Sequence, residues 1–258
     1  GSGLRNMNGL SGQRIVVTRA RDQAAKLSGR LRGLGAEVIE LPTIEVRPAL
    51  DYGPLDEAVG RLPSYDWLIF SSANGVHFFL KRLRLSSLNL GDLRAQICAI
   101  GPATRRAVEA AGLAVTLMPR HYVAESVLES FAGYDVAGRR ILLPRAAVAR
   151  DVVPLELARR GAQVEVVEAY RTVIPEETPA LARQIFSGAS KPDWITFTSS
   201  STVTNFIAAA GATCLEGVRV ASIGPVTTAT LRKHGIPVAV EAKTFTTDGL
   251  VEAMLQVL

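Results

Sequence analysis

The chain is poor in the residues that mark several functional classes. Among 258 residues it has two cysteines, three histidines and 6% aromatics. Cys98 and Cys214 lie far apart among small and apolar neighbours, which excludes a disulfide framework and a cysteine zinc site and predicts reduced structural thiols. His77, His121 and His234 are isolated, with no second histidine or acid at ligand spacing. A metal site and a Ser-His-Asp arrangement therefore lack support, and no metal or cofactor is expected. No apolar run approaches the roughly 18 to 20 residues that cross a bilayer, and no charged head followed by an apolar stretch marks a secretory signal. A cytoplasmic location with no membrane partner is expected.

Two nucleotide signatures are also missing: Gly-x-x-x-x-Gly-Lys-Ser/Thr anywhere, and Gly-x-Gly-x-x-Gly after the first apolar run. Without those glycines the backbone has no phosphate cradle, so triphosphate and dinucleotide readings are set aside. Lysine and arginine are scattered rather than gathered in a block interleaved with aromatics, and nucleic acid is not expected as a partner. Net charge is nevertheless +5 with a pI near 9.5, which favours anionic ligands in general. A hydrophobic fraction of 48% over this length supplies one large or two modest cores. The residues before Met7 read as an appended leader and are set aside from the fold.

What the sequence does have is an internal repeat. Arg14–Leu41 aligns without a gap onto Arg140–Val167, and each reads as strand, helix, glycine, strand. A short apolar run ends in Thr18-Arg19 or Pro144-Arg145, a helix-period segment follows, and Gly35 or Gly161 closes it. Further on, Asp66–Ser72 matches Asp193–Ser199, Ile100–Thr104 matches Ile223–Thr227, and Ala124–Ser126 matches Thr247–Gly249. Four blocks in one order establish a duplication. Strands alternating with helices imply parallel sheets covered on both faces. Two similar open parallel-sheet α/β domains are favoured, and a closed β/α barrel made of two half-barrels is the competing topology. Leu41–Pro48 and Tyr170–Pro175 fall at matching places in the repeat, are proline-punctuated and read as extended β-type linkers, where the chain could cross between domains.

In open α/β sheets ligands bind outside the carboxyl ends of the strands. At those places this chain repeats one chemistry. Ser71, Ser72, Ala73 and Asn74 in one half, and Thr198, Ser199, Ser200 and Ser201 in the other, put small hydroxyls and free N–H groups at helix starts. Gly101-Pro102-Ala103-Thr104 and Gly224-Pro225-Val226-Thr227 combine close backbone approach, a helix-starting proline and a first-turn hydroxyl. Thr18 and Arg19, with Arg21, end the first strand, and Arg145, with Arg150, ends its repeat partner; guanidinium groups suit bidentate carboxylate recognition. Tyr170 ends the second repeat's strand and enters a linker, where a phenol could face a cleft and donate a proton. The expected ligand is a polyanionic small molecule held in a cleft between the domains. A non-catalytic two-lobed binding or sensor module for an acidic metabolite would present nearly the same chemistry.

Taken in order, Phe70–Gly75, Ala99–Thr104, Leu142–Arg145, Ala169–Thr172, Phe197–Ser200 and Ser222–Thr227 make the chain resemble the uroporphyrinogen-III synthase family, from about Gln13 to its end. The resemblance implies a cofactor-independent cyclising hydro-lyase. Such an enzyme closes hydroxymethylbilane to uroporphyrinogen III with loss of water and inversion of ring D through a spiro intermediate. It also implies two flavodoxin-like domains, one discontinuous over 1–42 and 175–258 and one over 48–170. By the same resemblance, Tyr170 is the catalytic residue, and Thr104, Thr227, Ser72 and Ser199 are substrate contacts. A monomer is expected, with transient contact to hydroxymethylbilane synthase, which supplies the substrate.

Overall fold

The computed structural model describes residues 8–258, so the leader set aside above lies outside the described residues. Its contacts divide the chain into two compact units. One comprises the chain up to Glu45 together with Val173–Leu258, and the other Val46–Thr172. The chain opens in the first unit with β1 (Arg14–Val17), α1 (Ala25–Gly33) and β2 (Glu37–Glu40). It next forms β3 (Glu45–Pro48), α2 (Gly53–Gly60), β4 (Trp67–Phe70), α3 (Ala73–Leu85), β5 (Gln96–Ala99) and α4 (Pro102–Ala110). The second unit is completed by α5 (Ala124–Ser130), β6 (Arg140–Ala146), α6 (Val152–Arg159) and β7 (Gln163–Val173). The return to the first unit runs through α7 (Thr178–Phe186), β8 (Trp194–Phe197), α8 (Ser200–Ala210), β9 (Arg219–Ser222), α9 (Pro225–Lys233), β10 (Val240–Glu241) and α10 (Thr247–Leu255).

The first unit's sheet has the order β10-β9-β8-β1-β2, and each neighbouring pair is parallel. Numbered within the unit this is 2-1-3-4-5, the doubly wound order in which the winding reverses between β1 and β8. The second sheet runs β3-β7-β6-β4-β5, with β7–β6, β6–β4 and β4–β5 parallel. Here β6-α6-β7 is the repeat of β1-α1-β2. That βαβ opens the first unit and closes the second, so the two units are permuted relative to one another. Leu117 makes a parallel bridge to Cys98 on β5 and stands where β10 stands beside β9. The barrel is excluded, because both sheets are open.

The expected linkers are extended, but each is also built into the second sheet. Glu45–Pro48 is β3, the outer strand beside β7, where a proline is tolerated because an edge leaves one side of the ladder unpaired. Tyr170 lies inside the eleven-residue β7 rather than beyond it. The helix stops are as expected: Gly35 and Gly161 take left-handed φ values of +92° and +96° just after α1 and α6.

Alternation along the strands supplies two cores per sheet. Leu68 and Phe70 of β4 face one apolar cluster with Val76 and Phe79 of α3, while Trp67 and Ile69 face another with Phe131 and Leu157. In the first unit Ile15 and Val17 pack with Leu27, Leu31 and Leu250, and Val16 packs with Phe197 and Phe206 on the opposite face. Successive side chains point to opposite faces, so an all-apolar strand must be covered twice. Cys98 is buried on β5, and burial pushes its thiol up to about 12, which makes it an inert structural thiol.

Near the amino ends of β6 and β7 one carboxylate gathers three donors. Glu165 accepts from Tyr65 Oη at 2.8 Å, Arg61 Nη2 at 2.9 Å and Arg140 Nη2 at 3.3 Å. Burial alone would raise the Glu165 pKa, but these bonds and the Arg61 charge outweigh it and hold the group below the usual carboxylate range. A carboxylate held low in the folded chain contributes stability above its ordinary pKa and loses it as pH falls through the folded value. Glu165→Gln is expected to cost about 1 kcal/mol at neutral pH, at the low end for a charged bond because the group is partly exposed. The difference should fade below about pH 4, which urea titrations of both chains at neutral and acid pH will measure.

Candidate functional site

Because all strands of the first sheet, and β4 to β7 of the second, run parallel, their carboxyl ends share one rim in each sheet, and the return helices start there. In the first unit α8 begins at Ser199, whose Oγ accepts from Thr202 N–H at 3.1 Å while Thr202 Oγ1 accepts from Ser199 N–H at 3.3 Å, a reciprocal cap. Thr198 and Ser200 are half-buried beside it and Ser201 is exposed. Ser200 Oγ donates to Val226 O at 3.3 Å and accepts from Thr230 Oγ1 at 3.0 Å, tying the start of α8 to α9. Gly224 is the N-cap of α9, with Pro225 in its first turn and Thr227 buried in the turn behind it. Thr18 has no exposed surface, and its hydroxyl donates to Thr196 O at 2.8 Å. It is a tie between the ends of β1 and β8 at the reversal point rather than a hydroxyl open to a ligand. Arg19 is half-buried, and burial lowers its pKa, partly offset by Asp22. Arg21 is exposed and pairs with Glu177 at 3.3 Å.

The second unit's rim places Ser72 as the N-cap of α3, its Oγ accepting from Gly75 N–H at 3.0 Å. Ser71 is exposed and Ala73 and Asn74 are half-buried around it. The same Ser72 Oγ lies 2.8 Å from Tyr170 Oη. Tyr170 is 7% exposed, with the Phe78 ring stacked on it at 5.7 Å and 17°. The helix start fits closely: a Cβ on Gly75 would stand 3.1 Å from Pro144 O, so the glycine lets α3 approach the end of β6. Gly101 caps α4 and Thr104 is buried in its first turn. Arg145 is almost wholly buried; Nη1 donates to Arg150 O at 2.9 Å, Nη2 pairs with Asp151, and Nε has no partner. Its fork therefore holds the segment leading into α6. Arg150 is exposed on that segment.

The structure thus joins Ser72 to Tyr170, Arg145 to Arg150, and Ser200 to the start of α9. Phe78 and Thr202 were missed by the sequence reading. Thr202 was legible as the third residue after Ser199, the spacing of a capping box; Phe78 carried no local signal, because its contact with Tyr170 joins distant segments. Among the described residues no group of three or more His, Cys, Asp or Glu stands where it could hold a metal ion, and no helix is long and apolar enough to cross a membrane.

These features define a class: a duplicated, doubly wound α/β protein whose sheet rims carry hydroxyls and helix starts. The family model described as uroporphyrinogen-III synthase HemD matches residues 25–252. Uroporphyrinogen-III synthase of Synechococcus elongatus is 36% identical over 96% of each chain. That of Chlorobaculum parvum is 28% identical over 95% of this chain and 98% of its own. Among solved structures, a mutant uroporphyrinogen III synthase from Thermus thermophilus superposes with a TM-score of 0.73 at 18% identity, over 95% of this chain and 98% of that one. The Helicobacter pylori enzyme does so with a TM-score of 0.63 at 19% identity, over 95% and 100%. At those identities the two structures bear on the fold alone. The chain belongs to the uroporphyrinogen-III synthase family.

Thr18→Val keeps the volume and removes the tie to Thr196 O. It is expected to destabilise the chain by about 1–2 kcal/mol, read as a shift of the urea midpoint with an unchanged slope.

Proposed function

We propose that this chain catalyses the reaction named for its family, closing hydroxymethylbilane to uroporphyrinogen III with loss of water and inversion of ring D. The observation that carries the site assignment is the Ser72–Tyr170 pair, set beside a helix start on the carboxyl-end rim. Ser72 Oγ already accepts from Gly75 N–H. If it also accepts from the phenol, its own proton is free; if it donates to the phenol, the phenolic proton is free. Either orientation leaves one O–H available to the substrate.

That spare proton goes to the hydroxymethyl oxygen. As the carbon–oxygen bond breaks, its electron pair leaves with the oxygen, which departs as water, and the adjoining pyrrole nitrogen's electrons form the N-protonated azafulvene. Attack by the substituted carbon of ring D then gives the spiro intermediate, which fragments and recloses at the free α-carbon with the ring inverted, and the proton expelled from that carbon restores the donor hydroxyl. Holding a flexible chain so that this closure precedes the uninverted one is a matter of positioning more than of strong acid–base chemistry. Hydroxyls and helix N-termini suit the substrate's carboxylates, since N–H groups at a helix start point outward with a favourable dipole. Ser71, Ser72, Asn74 and Gly101 on one rim, and Thr198, Ser199, Ser200 and Ser201 on the other, are the proposed contacts, with Arg19 and Arg150 as charged ones; Gly224 is buried and supports the start of α9. Thr104 and Thr227, buried behind the glycines, support the helix starts. The free thiols Cys98 and Cys214 fit a reducing cytoplasm. The chain is proposed to act there as a monomer, taking its substrate from hydroxymethylbilane synthase.

The test is to supply freshly generated hydroxymethylbilane and resolve the porphyrin isomers after oxidation. Isomer III is the expected product. Isomer I alone, the spontaneous product, would overturn the proposal, and tight binding without turnover would point to a binding module instead. Tyr170→Phe is expected to lower kcat by about tenfold, less than the ~10²–10⁴ of an unsupported general acid, because the Ser72 hydroxyl remains. Tyr170→Phe with Ser72→Ala should fall further. Full turnover by Tyr170→Phe at saturating substrate would reduce the tyrosine to a packing role.

A further inference from the structure

Phe245 is 63% exposed on the segment between β10 and α10, at the carboxyl-end rim of the first unit. Its loop is tightly held. Thr246 N–H donates to Thr244 O at 2.8 Å, and Thr246 Oγ1 caps α10 by accepting from Gly249 N–H at 3.0 Å. The ring rests on Gly224, where a Cβ would stand 3.1, 3.3 and 3.6 Å from Cδ1, Cγ and Cε1. Gly224 has φ 178°, extended backbone that any residue adopts, so the chain conformation does not call for glycine there. The missing Cβ makes room for the ring. Gly101, its repeat partner, has φ +98° and nothing within 4 Å of a built Cβ, so there the backbone itself requires glycine. One sequence motif thus has two physical origins. Extending the repeat places Tyr122 at the position of Phe245, and it too is largely exposed, at 57%. A solvated aromatic therefore recurs at the rim of each unit.

We propose that Phe245 is a substrate-binding residue whose outward face stacks on a pyrrole ring of the linear tetrapyrrole. This rests on the synthase reading above. Hydroxyls and N–H groups recognise carboxylates on any scaffold; a flat apolar ring on a rigid loop recognises the scaffold itself. Stacked π-faces gain beyond the area they bury, and the gain depends on ring geometry rather than on volume. A contact made equally to bound substrate and to the transition state changes KM and leaves kcat alone.

The experiment compares the wild-type chain with Phe245→Leu and Phe245→Tyr by steady-state kinetics on fresh hydroxymethylbilane, with citrate as a polycarboxylate inhibitor that has no ring. Phe245→Leu is expected to raise KM by about tenfold with kcat within about twofold, and Phe245→Tyr to keep the wild-type KM. Citrate should inhibit all three equally, which reports that the carboxylate contacts and the fold are intact. A wild-type KM in Phe245→Leu, an equal rise in both variants, or a matching loss of citrate inhibition would each overturn the stacking assignment. Failure of the wild-type chain to make isomer III would instead be a failure of the synthase reading, so the two are separable.

Discussion

A parallel strand cannot be followed directly by its neighbour; the chain must return along the sheet's face, here through a helix, before the next strand begins. In this protein that constraint decides where chemistry can gather. Repeated along two sheets, it brings the carboxyl ends of β1, β8, β9 and β10 to one rim and those of β4, β5 and β6 to another. Each rim then holds the starts of helices, whose first N–H groups have no partner within the helix. Ser72 and Ser199 cap one such group each. The capacity to meet an acidic ligand is thus a by-product of the way the sheet is wound, which duplication supplied twice.

The duplicated units are not copies in the same order. The βαβ segment that begins the first unit ends the second, and the additional strand β3 beside β7 has no counterpart in the first sheet. Within this shared plan the two rims have diverged. At Ser199 the cap is completed reciprocally by Thr202 within the same helix, whereas the capping hydroxyl of Ser72 also meets the phenol of Tyr170, a residue from β7. Among the described residues, the second unit thus couples a helix cap to a phenol. The same divergence separates Gly101 from Gly224, where an identical Gly-Pro pair answers to backbone strain in one unit and to an aromatic ring in the other.

Buried polar ties hold these rims in place. Thr18 joins the ends of β1 and β8, Thr43 Oγ1 reaches Thr18 O at 3.2 Å, and Asn205 Nδ2 reaches Thr43 O at 3.0 Å. Arg145 does similar work in the second unit through Arg150 O and Asp151. Such bonds are costly to leave unmade in a low-dielectric interior, so they fix geometry as well as adding stability. Thr18 and Arg145, expected from the sequence as ligand contacts, are buried and make these bonds within the protein.

The duplication, the alternation of strand and helix, the glycine stops after α1 and α6 and the family resemblance were legible in the sequence, because each is written in local periodicity or in short ordered motifs, whereas the choice of two open sheets over a closed barrel was settled by strand order. The sequence also located the strand ends at which function would be sought. Only the tertiary structure decided which side chains at those ends point outward and which are consumed in holding the rim. It alone brought Tyr170 within 2.8 Å of Ser72, put Tyr170 inside β7 rather than in a linker, and laid Phe245 on Gly224. The reason is physical: hydrogen-bond partners and ring contacts between distant segments depend on strand order and register, and a one-residue shift of register turns a side chain to the other face.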